Sequence, residues 1–62
     1  MDNMESRVLI AAARAQARER SSRDGICVVY LYDGKAYVRL STEVRPAPAA
    51  IVDSTWRQGE EI

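Results

Sequence analysis

The stretch Ile26-Cys27-Val28-Val29-Tyr30-Leu31-Tyr32-Asp33-Gly34-Lys35-Ala36-Tyr37-Val38-Arg39-Leu40-Ser41-Thr42 decides the fold. β-Branched and aromatic residues run on both sides of Asp33-Gly34. An Asp-Gly pair supplies the two positive-φ positions of a type I′ turn, whose twist matches that of the strands it joins. The turn predicts a register: Tyr32 opposite Lys35, Leu31 opposite Ala36, Tyr30 opposite Tyr37, Val29 opposite Val38, Val28 opposite Arg39, Cys27 opposite Leu40 and Ile26 opposite Ser41. One face of the ribbon is then Cys27, Val29, Leu31, Ala36, Val38 and Leu40, which reads as core. The other carries Ile26, Val28, Tyr30, Tyr32, Lys35, Tyr37 and Arg39, and any function borne by the hairpin has to lie there.

Working upstream, residues from about 3 to 20 read as a helix. Asp2 with Glu5 resembles a capping box, Ala is abundant, and Ser21-Ser22 with Asp24-Gly25 supplies a stop and a turn. At about 100° per residue, Met4, Val8, Ala11, Ala12 and Ala15 share a face that Leu9 and Ala13 extend, and this face is expected to pack on the hairpin. Because it is mostly Ala, the helix can lie close to whatever covers it.

Working downstream, Pro46-Ala47-Pro48 ends strand pairing and stiffens a linker over 45–48. Residues 49–57 admit two readings. A short helix opening at Pro48 would set Val52 and Trp56 one turn apart, whereas an extended arm would alternate Ile51 with Asp53 and Val52 with Ser54; the helix is slightly favoured. Residues 58–62 read as a frayed tail. The whole is a single small α+β domain, an N-terminal helix on an antiparallel hairpin, its sheet extended or covered by dimerisation.

Sixty-two residues with one Cys and no His cannot form an intrachain disulfide or a Cys/His zinc site. A chain this small, with no Phe and one Trp, needs other support, and a partner chain is the remaining route, so a homodimer is expected. Nine basic residues balance nine acidic ones, which removes the strongly basic footprint of a DNA-coating protein. No apolar run approaches the roughly 20 residues that cross a bilayer, and the first residues lack a basic, then apolar, leader pattern. A cytoplasmic protein that uses no membrane, metal or cofactor is the simplest reading, and the single Cys agrees with a reducing compartment.

Three groups of side chains invite a function. Tyr30, Tyr32, Tyr37, Lys35 and Arg39 make the outer hairpin face aromatic and basic, suited to a protein hot spot or to stacked bases, while structural cover is the competing explanation. Arg7, Arg14 and Arg18 fall within about 40° on a helical wheel and form a second candidate surface, against which stands a solvated stripe relieved by acidic neighbours. Trp56 could anchor a partner but more simply closes the core. Cys27 faces the helix as a small hydrophobe. Catalysis has little to build on: without His the common general base is missing, and Asp24, Asp33, Asp53, Glu43 and Glu19 are expected in turns or on solvated faces. No catalytic residue is assigned. The sequence therefore points to a non-catalytic accessory or regulatory protein that dimerises and modulates or inhibits a protein partner. A small nucleic-acid-binding regulator is the alternative, and a self-assembling structural subunit a third.

Overall fold

The computed structural model describes residues 3–43 and 49–62, with side chains of the first helix from residue 7 onward. Helix α1 (Asn3–Arg23) is followed by strands β1 (Cys27–Tyr32), β2 (Lys35–Leu40), β3 (Ile51–Arg57) and β4 (Glu60–Glu61). All neighbouring strands are antiparallel, in the order β2-β1-β3-β4. The architecture is α+β, one helix lying on one face of a four-stranded sheet. The Asp2–Glu5 capping box, the Met4 side chain and the linker 45–48 lie outside what is described.

The hairpin forms as its sequence dictates. Asp33 and Gly34 have φ of 53° and 74°, the left-handed pair of a type I′ turn. Every predicted pair from Tyr32 with Lys35 to Cys27 with Leu40 is present, and the Ser41 N–H continues the ladder to the Ile26 carbonyl at 2.8 Å.

The helix departs from expectation twice. It runs three residues further, through Arg23: Ser21 Oγ and Ser22 Oγ donate back to the carbonyls of Arg18 and Glu19 at 3.0 and 2.7 Å, which accommodates both serines within the helix. The turn then comes at Gly25, φ 116°. Its packed face also differs. Val8, Leu9, Ala11, Ala12 and Ala15, expected on the hairpin, are exposed, Val8 to 62%. The buried positions are instead Ala13, Ala17 and Ser21, with Ile10 half-buried, spaced three or four residues apart on one side. Only Ala13 belongs to both sets. Small side chains at this seam bring the helix near the sheet, and the Gly59 N–H reaches Ser21 Oγ at 2.9 Å.

The C-terminal segment is a strand, which corrects the favoured helix. β3 pairs with the free edge of β1, Trp56 opposite Cys27, Thr55 opposite Val28 and Ser54 opposite Val29, until a bulge shifts the register so that Val52 faces Tyr30 and Ile51 faces Leu31. The supernumerary residue is Asp53. A bulge changes the side of every residue beyond it, so Val52 and Trp56, which an unbroken strand would place together, lie on opposite faces. The tail is ordered as well. Gln58 and Gly59, φ 52° and 81°, make a second tight turn, β4 pairs Glu60 with Arg57 and Glu61 with Trp56, and the Ile62 N–H donates to the Thr55 carbonyl at 2.9 Å.

The core between helix and sheet consists of Ala13, Ala17, Cys27, Val29 and Trp56, flanked by Ala36, Val38 and Leu40. Trp56 closes it, 6% exposed, its Nε1–H donated to Ser54 Oγ at 2.8 Å.

Candidate interaction surface

The helix covers one face of the sheet, and among the described residues nothing covers the other. Strand alternation assigns to this outer face Lys35, Tyr37 and Arg39 from β2, Val28, Tyr30 and Tyr32 from β1, and Val52, Thr55 and Arg57 from β3, with Glu60 on β4. The sequence-derived Tyr/Arg set is thus gathered on a single sheet surface. Its centre is a ladder. Tyr30 and Tyr37, directly opposed, stack with ring centroids 5.3 Å apart and planes 16° from parallel, and the Arg39 guanidinium lies 5.7 Å from the Tyr37 ring centroid. The Arg39 head is steadied by a 2.8 Å hydrogen bond from Nη1 to the Val38 carbonyl. Stacking restricts the motion of both rings, so the centre of this face is already ordered. Tyr32 and Lys35 are exposed at the hairpin tip.

Val52, Thr55 and Ile62 join this surface without having been assigned to it from sequence. Val52 is 56% and Ile62 68% exposed. The available signal was the β-branched run Ile51-Val52 with Thr55, whose alternation the bulge at Asp53 interrupts.

The arginine stripe is divided by the fold. Arg14 forks onto Asp53, Nε to Oδ2 at 2.8 Å and Nη2 to Oδ1 at 3.2 Å. Arg18 places its guanidinium 5.5 Å from the centroid of the Trp56 ring, a cation–π contact that shields the edge of the core. Arg7 is exposed beside them. The stripe therefore flanks the core and holds β3, rather than facing solvent opposite it, and two of its three members are engaged within the chain. Asp53 is the carboxylate that sequence reading misplaced. Its side chain is 14% exposed, and the hydrogen bond from Arg14, aided by one from Ser54 Oγ at 3.0 Å, holds its pKa below the usual carboxylate range against the opposing effect of burial. The same pairing raises Arg14.

Cys27 is fully buried against the helix, and burial pushes its thiol pKa up, the reverse of what a nucleophilic Cys requires. A notch of about 90 Å³ opens between Leu9 and Ile10 of the helix and Leu31 and Ala36 of the hairpin. Among the described residues there is no His/Cys/Asp/Glu cluster suited to a metal, and no helix is long and apolar enough to cross a membrane. Comparison with protein-family models, curated proteins and solved structures finds no match.

Proposed function

We propose that this is a non-catalytic binding protein that docks a protein surface on the outer face of its sheet. The observation that carries this reading is the ordered Tyr30–Tyr37–Arg39 ladder on a sheet face that the chain's own helix does not cover. Tyr and Arg are the residues that anchor hot spots, and Val28, Val52 and Thr55 around them supply apolar area. Regulation or inhibition of the bound protein is the activity such a chain can exert without catalytic groups, and its buried free thiol suits the reducing cytoplasm. Nucleic acid is the second reading, supported by the stackable Tyr rings with Lys35 and Arg39 nearby, but the balanced charge favours protein.

Salt and nuclease separate the two. Captured material that survives nuclease, changes little from low to high salt, and is lost on Tyr37→Ala/Arg39→Ala substitution is the expected result. Steep salt dependence with nuclease sensitivity would transfer the face to nucleic acid. Capture undiminished by the double substitution would overturn the assignment of the face.

A further inference from the structure

We propose that the open edge of β2 and the groove between β2 and α1 bind an extended peptide of a partner protein as an added antiparallel strand, its apolar residues alternating with acidic ones. This site adjoins the outer face but does not depend on the docking reading of that face.

The hairpin determines which backbone groups are open. Residues flanking a two-residue turn exchange both hydrogen bonds, so Tyr32 with Lys35 begins a series in which every second pair is bonded. The Ser41 N–H on the Ile26 carbonyl fixes the same phase. Lys35, Tyr37 and Arg39 therefore bond to β1, whereas Ala36, Val38 and Leu40 direct N–H and C=O outward from the sheet edge that β2 forms. The Leu40 end of this edge is already capped. Glu43 Oε1 accepts from the Leu40 N–H at 3.0 Å, the Leu40 carbonyl accepts from the Glu43 N–H at 2.8 Å, and Arg20 Nη2 steadies the Glu43 carboxylate at 3.4 Å. Such caps keep an edge from pairing indiscriminately. Among the described residues nothing caps Ala36 or the Val38 N–H, and the Val38 carbonyl, which accepts from Arg39 Nη1 at 2.8 Å, keeps a second lone pair. The opening takes two residues of an antiparallel strand, each exchanging both bonds.

Side chains specify that strand. Peptide residues opposite Ala36 and Val38 point to the helix side, into a groove walled by Leu9, Ala12 and Gln16. Leu9 is 44% exposed there and Ala12 is exposed, so aliphatic side chains in the groove remove apolar surface from water. Peptide residues opposite Lys35 and Arg39 point instead to the outer face, where both cations are exposed and neither forms an ion pair among the described residues. Acidic residues complete those cross-strand pairs. In strand addition of this kind the main chain supplies affinity and alternate side chains supply specificity. The same charges disfavour a second copy. Two β2 edges joined through both Ala36 and Val38 set Lys35 of each copy opposite Arg39 of the other, like charges facing twice.

The probe is an acetylated, amidated peptide Glu-Val-Thr-Val-Glu, titrated to millimolar concentration into the full isotopically labelled chain and followed by amide resonances. Before peptide is added, the Ala36 and Val38 amides should exchange with solvent far faster than those of Tyr37 and Arg39. At saturation they should shift downfield and gain roughly tenfold protection. Methylating both Val nitrogens removes the donors aimed at β2 and should weaken binding at least roughly tenfold, whereas methylating the Thr nitrogen, which faces away, should change it by no more than about twofold. Replacing both Glu by Lys should weaken binding roughly tenfold. Ala36 and Val38 amides that stay unshifted and unprotected overturn the proposal, as does a Lys peptide that binds as tightly as the Glu peptide. Loss on Thr methylation with Val methylation tolerated would mean a parallel strand and overturns the pairing. Protection of Ala36 and Val38 that rises with the concentration of the chain alone gives the edge to a second copy and overturns the peptide occupant. Shifts confined to Tyr30, Tyr37 and Val52 would put the peptide on the outer face, which overturns the edge site and leaves the docking reading of that face standing.

Discussion

Arg14 and Asp53, 39 residues apart, tie the helix to the third strand through a forked ion pair in which both carboxylate oxygens accept. Behind the pair runs a chain of hydrogen bonds. Trp56 Nε1–H donates to Ser54 Oγ, and the Ser54 hydroxyl donates to the same Asp53 oxygen that receives Arg14 Nε. The bulge puts Asp53 and Ser54 on the helix side together, so an irregularity in the strand connects a surface guanidinium to the buried indole.

The first consequence concerns acid. Asp53 binds its proton less readily folded than unfolded, chiefly because of Arg14. On acidification the unfolded chain takes up this proton first, so the stability that Asp53 contributes is present above the unfolded Asp pKa of about 3.9 and lost as pH falls through the lower folded value. Thermal unfolding of Asp53→Asn should therefore begin from a lower Tm than the parent at neutral pH, and the two curves should converge under acid. A gap that stays constant down to the acid limit would show that Asp53 acts through packing alone.

Ser54→Ala should destabilise by about 1–3 kcal/mol, since it leaves the buried Trp56 N–H without an acceptor. Urea unfolding followed by Trp56 emission measures it. A change below about 0.5 kcal/mol would mean that the indole finds water or another partner.

Two alanines give opposite outcomes when enlarged. Ala17→Leu forces side-chain volume into the seam where the helix meets β1 and Trp56, and should cost about 1–3 kcal/mol or more. Ala15→Leu, on an exposed position, should change stability by no more than about 0.5 kcal/mol. Equal effects would contradict the helix orientation seen here.

The Cys27 thiol is buried, its pKa is raised by that burial, and its proton is directed toward the Gly25 carbonyl at 3.6 Å. A thiol reagent should react with the native chain far more slowly than with the unfolded chain, and its rate should track unfolding. Rapid reaction under native conditions would place Cys27 at an accessible site.

The hairpin was readable to the residue pair because its determinants are local: a turn dipeptide that tolerates positive φ, and β-branched or aromatic residues on each arm. Trp56 as the closure of the core, and Cys27 facing the helix, followed from the scarcity of large side chains and from the register. The role of residues 49–57 was hidden because the bulge at Asp53 breaks the two-residue period, leaving Val52 and Trp56 at a spacing that imitates a helical turn. Gln58-Gly59 escaped notice as a turn for a related reason. Gln rarely adopts positive φ, and this turn is anchored by Gly59 bonding to Ser21 across the fold.

By itself, the sequence determined the α+β class, the hairpin and its register, and the aromatic-basic composition of one sheet face, all of which depend on neighbours in the chain or on a period of two. Only the tertiary structure decided which side of a nearly uniform Ala-rich helix is buried, because alanines on several faces bury almost equally and close approach to β3 and Gly59 selects Ala13, Ala17 and Ser21. It likewise decided that Arg14 and Arg18 of the arginine stripe engage Asp53 and Trp56, and that β3 and β4 extend the sheet, whose outer face no described residue covers. Those outcomes depend on contacts between residues some 40 positions apart, whose free energy no local window contains.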